Sequence, residues 1–109
     1  MKKTMRAMTL LACVALLVGG AQAVAGDAAA GKEKSATCAA CHGPDGNSVA
    51  PDFPRLAGQH NDYLARALID YKSGARKNPI MAPMVVKLTQ RDIEDLAAYY
   101  SQQRGLVTK

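Results

Sequence analysis

The sequence has few of the residues that build structural metal sites. Its 109 residues include two histidines and three cysteines, whereas a structural zinc site is closed by four Cys or His ligands. Beyond one Cys-x-x-Cys-His pentad at positions 38–42, only His60 follows as a candidate after the N-terminal segment. A zinc site therefore remains an alternative with little support.

Three further absences narrow the class of protein. No Val/Ile/Tyr-rich alternating segment flanks the pentad, which argues against the βαβ setting of a thioredoxin-like dithiol. No apolar run reaches the ~20 residues of a transmembrane helix, so stable membrane insertion is not predicted. Aromatic residues make up 5% of the chain and do not interleave with a basic stripe, so nucleic-acid binding is not predicted.

The first 25 residues have the organisation of a secretory signal peptide. Three basic residues lie in the first six positions, an apolar run covers 10–18, and small residues follow. Cleavage after Ala23 or after Ala25 fits the small-x-small rule. We therefore expect residues 1–25 to be removed on export to the periplasm, leaving one domain over 26–109.

Two other readings of this N-terminal segment stay open. An uncleaved membrane anchor is disfavoured because the apolar run is short. Lipidation at Cys13 is disfavoured because the residues after it stay apolar, where a polar tether would be expected. Removal of the segment takes away three of the 14 basic residues and none of the nine acidic ones, so the net charge falls from +5 to near +2.

The pentad is the strongest functional motif. On a helical turn, Cys38 and Cys41 project from one face, so each thiol can form a thioether with one vinyl group of the same porphyrin. His42 then points its imidazole at the iron. The pentad predicts one covalently attached haem c, with both remaining cysteines consumed and none left for a disulfide.

The rest of the chain predicts an all-α domain. Asp27 should cap a first helix running toward the pentad, a second should start near Asn61 or Asp62 and end near Gly74, and a third should begin at Thr89. A domain of about 85 residues buries only about 60–65% of its unfolded surface, so we expect the helices to close around the haem. The expected core stripes are Leu64, Ala67, Leu68 and Tyr71 in the second helix and Ile93, Leu96, Ala97 and Tyr100 in the third.

The segment over 77–84 carries two methionines between the second and third helices. Pro79 and Pro83 predict an extended stretch that forms helix poorly. Such a stretch can present a thioether to the iron opposite His42, and His/Met ligation raises the reduction potential. His60 is the alternative ligand. A further alternative is that both methionines only fill gaps in the core and do not ligate the iron.

Three segments together resemble class I c-type cytochromes of the monohaem cytochrome c4/c553-like group. They are GDAAAGKEKSATCAACHGPDGNS, PDFPRLAGQ and MAPMVVKLTQRDIEDLAAYYSQQ. The resemblance implies the class I cytochrome c fold, in which short helices wrap a covalently bound haem. No internal repeat is visible, so one haem is expected.

The resemblance also implies roles for single residues. Cys38 and Cys41 match the thioether positions, His42 the proximal iron ligand, and Pro54 the residue whose carbonyl accepts a hydrogen bond from that imidazole. Met81 matches the distal iron ligand through its spacing to the following helix start, with Met84 as runner-up. A mid-helix glycine, Gly31, matches the place where the first and last helices cross near Leu96 and Tyr99.

The function expected from these features is one-electron transfer between periplasmic redox proteins, with no substrate transformed and therefore no enzyme activity. The donor and acceptor are unknown, and the protein is expected to be a monomer that forms transient complexes. One alternative is a cytochrome subunit of a larger periplasmic oxidoreductase complex. Another is a gas-binding or peroxidatic haem with an open distal site.

Overall fold

The structure, a computed structural model, describes residues 26–106. The predicted signal peptide, its two cleavage positions and Cys13 lie outside the described residues. Five α-helices and no strand are present over 26–106, so the predicted all-α class is confirmed. The helices are α1 (Ala28–Lys34), α2 (Ala36–His42), α3 (Asn61–Ser73), α4 (Met81–Val85) and α5 (Gln90–Ser101).

The helix ends follow the capping chemistry of the sequence. Asp27 accepts from the N–H groups of Ala29 and Ala30 at 2.9 and 3.3 Å, which starts α1 where predicted. Thr89 and Asp92 form a reciprocal capping box at the start of α5. The helix α3 ends at Gly74, whose φ of +83° suits a glycine. All three predicted helix boundaries of this kind are confirmed.

The crossing of α1 and α5 depends on a missing side chain. A Cβ at Gly31 would overlap the carbonyl oxygen of Asp95 and lie 2.8 Å from Tyr99 Cβ. The two helix backbones therefore approach as closely as a glycine permits. This confirms the close backbone packing expected at Gly31.

Asp95 fastens the same crossing although it is buried. Its carboxylate accepts from the Asp27 N–H at 2.8 Å and from Lys34 Nζ at 2.6 Å. A buried carboxylate is costly unless it is paired and hydrogen-bonded, and here it is both. The sequence reasoning missed this residue, because an aspartate in a helix normally reads as a solvent-facing position.

The core lies between α3, α5 and the pentad. Its contiguous buried cluster consists of Leu64, Leu96, Ala97, Tyr99 and Tyr100, with Cys38, Leu56, Ala65, Leu68 and Leu88 packed against it. The predicted stripe of α5 is fully buried, whereas in α3 only Leu64 is buried and the rest of its stripe is half-buried. The helix α3 is therefore the more weakly covered of the two in this structure.

Candidate haem attachment site

The short helix α2 carries the pentad. Cys38 and Cys41 sit one helical turn apart, and both are half-buried free thiols. The chain turns sharply after His42 at Gly43, whose φ is +83°. The helix therefore ends with the imidazole held at its last position, and the chain leaves in a new direction.

His42 is buried and its ring orientation is fixed. Only 6% of the residue is exposed, and Nδ1 donates to the carbonyl oxygen of Pro54 at 2.7 Å. Because Nδ1 carries the proton, Nε2 of a neutral ring has a free lone pair, which is what an iron ligand needs. The contact expected between these two residues is present, while their role toward an iron stays a prediction.

The loop that supplies Pro54 is held by glycine and by α5. Gly46 has φ +83°, and a Cβ there would lie 2.7 Å from Cδ1 of Tyr100. Its carbonyl oxygen accepts from the N–H groups of Leu56 and Ala57 at 2.8 and 3.1 Å. These bonds bring the residues just after Pro54 back to the turn that follows α2, and so place its carbonyl beside the imidazole.

The distal segment contradicts one local prediction. The stretch around Met81 is not extended, because Met81–Val85 forms α4. Pro83 is the third residue of that helix, where a backbone N–H has no partner within the helix, so its missing donor costs nothing. Asn78 Oδ1 accepts from the N–H groups of Ile80 and Met81 at 2.9 and 3.0 Å and supports the helix start.

The two candidate methionines differ in exposure. Met81, at the start of α4, is half-buried, whereas Met84 is 39% exposed. A side chain that ligates an iron inside the fold has to be covered, so exposure favours Met81. His60 is exposed and precedes α3 as its N-cap residue.

The alternatives to a haem find no support over 26–106. In that range no group of three or more His, Cys, Asp or Glu side chains could hold a metal ion. Burial raises the pKa of the Cys38 thiol, and the nearby Tyr100 hydroxyl acts in the opposite direction. A redox dithiol needs a thiolate of lowered pKa, so this cysteine has the wrong electrostatics for that role.

The residues present fit a covalent haem. Two thiols lie one helical turn apart, the adjacent imidazole has a free Nε2, and a half-buried thioether begins α4. This donor set is the one that a His/Met-ligated haem c requires.

Comparison with known proteins decides the family. The profile of the family described as Cytochrome c matches residues 28–103. The chain belongs to the cytochrome c family. This membership confirms the predicted class, and it implies covalently bound haem c. Among residues 26–106, this cytochrome has no helix of the length and apolarity needed to cross a bilayer.

Individual relatives agree with the profile. Cytochrome c4 of Pseudomonas aeruginosa is 46% identical over 87% of this chain and 48% of its own length. Cytochrome c-554(548) of Halomonas halodenitrificans is 50% identical over 72% of this chain and 99% of its own length. The crystal structure of reduced cytochrome c4 from Pseudomonas stutzeri superposes with a TM-score of 0.72 at 50% identity, over 76% of this chain and 48% of that one. The chain spans about half the length of the cytochrome c4 relatives it matches, and it shares their class I fold.

Sequence reasoning missed one polar group of this site, the hydroxyl of Tyr100. The tyrosine was expected only as part of a core stripe. Its ring does pack in the core, but its hydroxyl is buried beside Cys38 without a hydrogen-bond partner in the described part of the chain. The available signal was a tyrosine in an apolar helix stripe, at a position where phenylalanine would pack as well.

Proposed function

We propose that this cytochrome is a periplasmic one-electron carrier, and not an enzyme, in which His42 and Met81 ligate one haem attached through Cys38 and Cys41. The observation that carries the proposal is the imidazole of His42, buried at the end of the thiol-bearing helix and tied through Nδ1 to Pro54. A bound haem c supplies a reversible Fe(III)/Fe(II) couple. The residues of the chain would ligate the iron, orient the imidazole and adjust the reduction potential.

The proposed ligand pair favours electron transfer over chemistry on a substrate. His42 and Met81 would hold the haem iron. Two side-chain ligands would leave no iron position for a substrate and would limit the change in coordination between the two oxidation states. The Pro54 hydrogen bond keeps the imidazole in one orientation and raises its basicity, while a thioether ligand favours Fe(II) and raises the potential.

The periplasmic location is proposed from the N-terminal segment. Its basic start, its short apolar run and its small residues before position 26 fit an export signal. Sequencing the N-terminus of the mature protein tests this directly. Cleavage after Ala23 or Ala25 supports export, and an intact N-terminus in a membrane fraction supports the anchor instead.

The distal ligand is tested with two matched replacements. The protein is expressed in a periplasm that has haem-maturation machinery, and the oxidised spectrum is searched for the charge-transfer band between a methionine sulfur and Fe(III). We expect Met81→Ala to abolish the band and Met84→Ala to keep it, because Met84 is the exposed member of the pair. The reverse result would assign Met84.

The remaining functions are separated by two simple measurements. Carbon monoxide binding to the reduced, native protein would show an open distal position and favour a gas-binding haem over a carrier. Stable co-purification with a dehydrogenase or an oxidase would favour a subunit of a periplasmic complex. A monomer that binds no carbon monoxide and exchanges electrons in a transient, small interface supports the carrier.

A further inference from the structure

Tyr100 buries a hydroxyl that nothing in the described chain satisfies. The residue is 3% exposed, and its hydroxyl oxygen is the one buried side-chain nitrogen or oxygen over 26–106 without a hydrogen-bond partner. A buried, unpaired hydroxyl costs free energy, so native proteins usually supply a partner. Phenylalanine would pack the same ring at lower cost, and the hydroxyl therefore calls for an explanation.

The neighbouring tyrosine shows that the environment can satisfy such a group. The Tyr99 hydroxyl donates to the carbonyl oxygen of Pro44 at 3.0 Å. The two rings are tilted neighbours with centroids 5.0 Å apart. Tyr99 is thus a matched control for Tyr100, with the same side chain on the same helix and its hydrogen bond already made.

Cys38 and Ser35 carry polar groups near the Tyr100 hydroxyl, although neither forms a hydrogen bond with it in this structure. The Ser35 hydroxyl already donates to the carbonyl oxygen of Lys32 at 2.6 Å. Cys38 packs against the core cluster that contains the Tyr100 ring. Burial, followed by the nearby Cys38, raises the pKa of Tyr100, so the phenol keeps its proton and remains a donor.

We propose that, in the haem-bound protein, the Tyr100 hydroxyl donates a hydrogen bond to the thioether sulfur of Cys38 and so positions this attachment and tunes the haem. The inference rests on the proposed attachment at Cys38. A free thiol is itself a weak donor, but a thioether sulfur has only lone pairs. Once Cys38 is a thioether, Tyr100 is the donor of the pair and its hydroxyl is no longer unsatisfied.

A hydrogen bond to the sulfur has a consequence at the iron. It withdraws electron density from the sulfur and, through the attached ring, stabilises Fe(II) relative to Fe(III); contacts of this kind around a haem tune its potential. Loss of the hydroxyl should therefore lower the Fe(II):Fe(III) ratio at a fixed applied potential. We expect a fall of roughly two- to threefold, a fraction of what one net hydrogen bond is worth.

The experiment compares Tyr100→Phe with Tyr99→Phe in the haem-loaded protein. Mass spectrometry first establishes one covalently attached haem, and its absence would defeat the proposed attachment rather than this inference. Resonance Raman spectroscopy then follows the C–S stretching band of the thioethers in H2O and in D2O. We expect the band to shift on deuteration in the wild type and in Tyr99→Phe, and to lose that shift in Tyr100→Phe together with the fall in the Fe(II):Fe(III) ratio.

Three results would overturn the inference. The first is a C–S band in the wild type that does not respond to D2O, which needs no variant and so holds even if Tyr100→Phe fails to accumulate. The second is an equal effect of Tyr100→Phe and Tyr99→Phe on the band and on the ratio. The third is a Ser35→Ala variant that reproduces the Tyr100→Phe changes, since the D2O shift would then depend on the Ser35 hydroxyl and could not be assigned to Tyr100 as the donor.

Discussion

Replacement of Gly31 by alanine should destabilise the holoprotein, although alanine is the better helix former. In an isolated helix the substitution would be favourable by about 1 kcal/mol. Here the new Cβ would overlap the carbonyl oxygen of Asp95 and crowd Tyr99 Cβ. Whether Gly31→Ala lowers or raises the free energy of unfolding therefore tests how closely α1 and α5 cross.

The size of the stability loss depends on which atoms can move to relieve the overlap. Extra atoms forced into a packed contact cost about 1–3 kcal/mol, and the upper end applies because the overlapped atom of Asp95 is backbone and no rotamer change can relieve it. The crossing is also fixed by the hydrogen bonds that the Asp95 carboxylate accepts from the Asp27 N–H and from Lys34. After the helix-propensity gain is subtracted, the net loss is about 2 kcal/mol, or a fall in Tm of about 8–16 °C for a domain of this size.

The assay is thermal and urea unfolding of the holoprotein, followed by circular dichroism and by the haem absorbance. Agreement between the two signals is needed before a single free energy of unfolding is quoted, because a bound cofactor can break two-state behaviour. The control is Ala29→Gly, at an exposed position in the first turn of the same helix, which should cost at most about 1 kcal/mol, the propensity difference in a helix interior.

An increase in Tm, or no change, on Gly31→Ala would refute the reasoning. It would mean that α1 can shift away from α5 at little cost, and that the carbonyl of Asp95 is not the limit on their approach. A loss of stability equal to that of Ala29→Gly would also contradict the reasoning, since the steric overlap predicts a larger loss for Gly31→Ala.

Two further predictions concern stability at low pH and helicity after the haem attachment is removed. Lys34, followed by the backbone N–H and the hydroxyl of Thr89, lowers the pKa of Asp92 from 3.8 to about 2, and Lys34 likewise lowers the pKa of Asp95. Because the folded-state pKa is lowered, the stabilisation is fully present above pH 3.8 and is lost as the pH falls toward 2. The free energy of unfolding should therefore fall steeply with pH in this range, and less steeply in Lys34→Met. The Cys38→Ala/Cys41→Ala double variant should lose most helical circular dichroism, because the buried cluster is small and a domain of this size needs the haem to complete its core; native helicity without haem would contradict this.

The sequence predicts helix ends well where the chain itself supplies the cap. Asp27, Thr89 and Gly74 each act within a few residues of their own position, so their effect can be read without knowing the fold. The same is true of the pentad, whose thiols lie within one turn. The predicted contact between His42 and Pro54 came from resemblance instead, because no local rule brings residues 12 apart into contact across a loop.

Two features were out of reach for local reasoning. The stretch around Pro83 was expected to be extended, yet it forms α4, because a proline is penalised in a helix interior and not in its first turn. Asp95 was not singled out, because its burial depends on which face of α5 the helix α1 crosses. The first feature depends on where α4 begins and the second on which helix covers Asp95. Local sequence patterns specify neither.

The helix α5 determines how the two sides of the His42 contact are positioned. The loop that carries Pro54 is fastened to it, since the Tyr100 carbonyl oxygen accepts from the Gly58 N–H at 2.9 Å and the Tyr100 ring packs on Gly46. The helix α2, which carries the pentad, reaches α5 through α1 and the crossing at Gly31, and also through Cys38, which packs against the core cluster. A change at that crossing should therefore move the imidazole relative to the carbonyl of Pro54 and alter the haem environment, without removing either cysteine proposed to attach the haem.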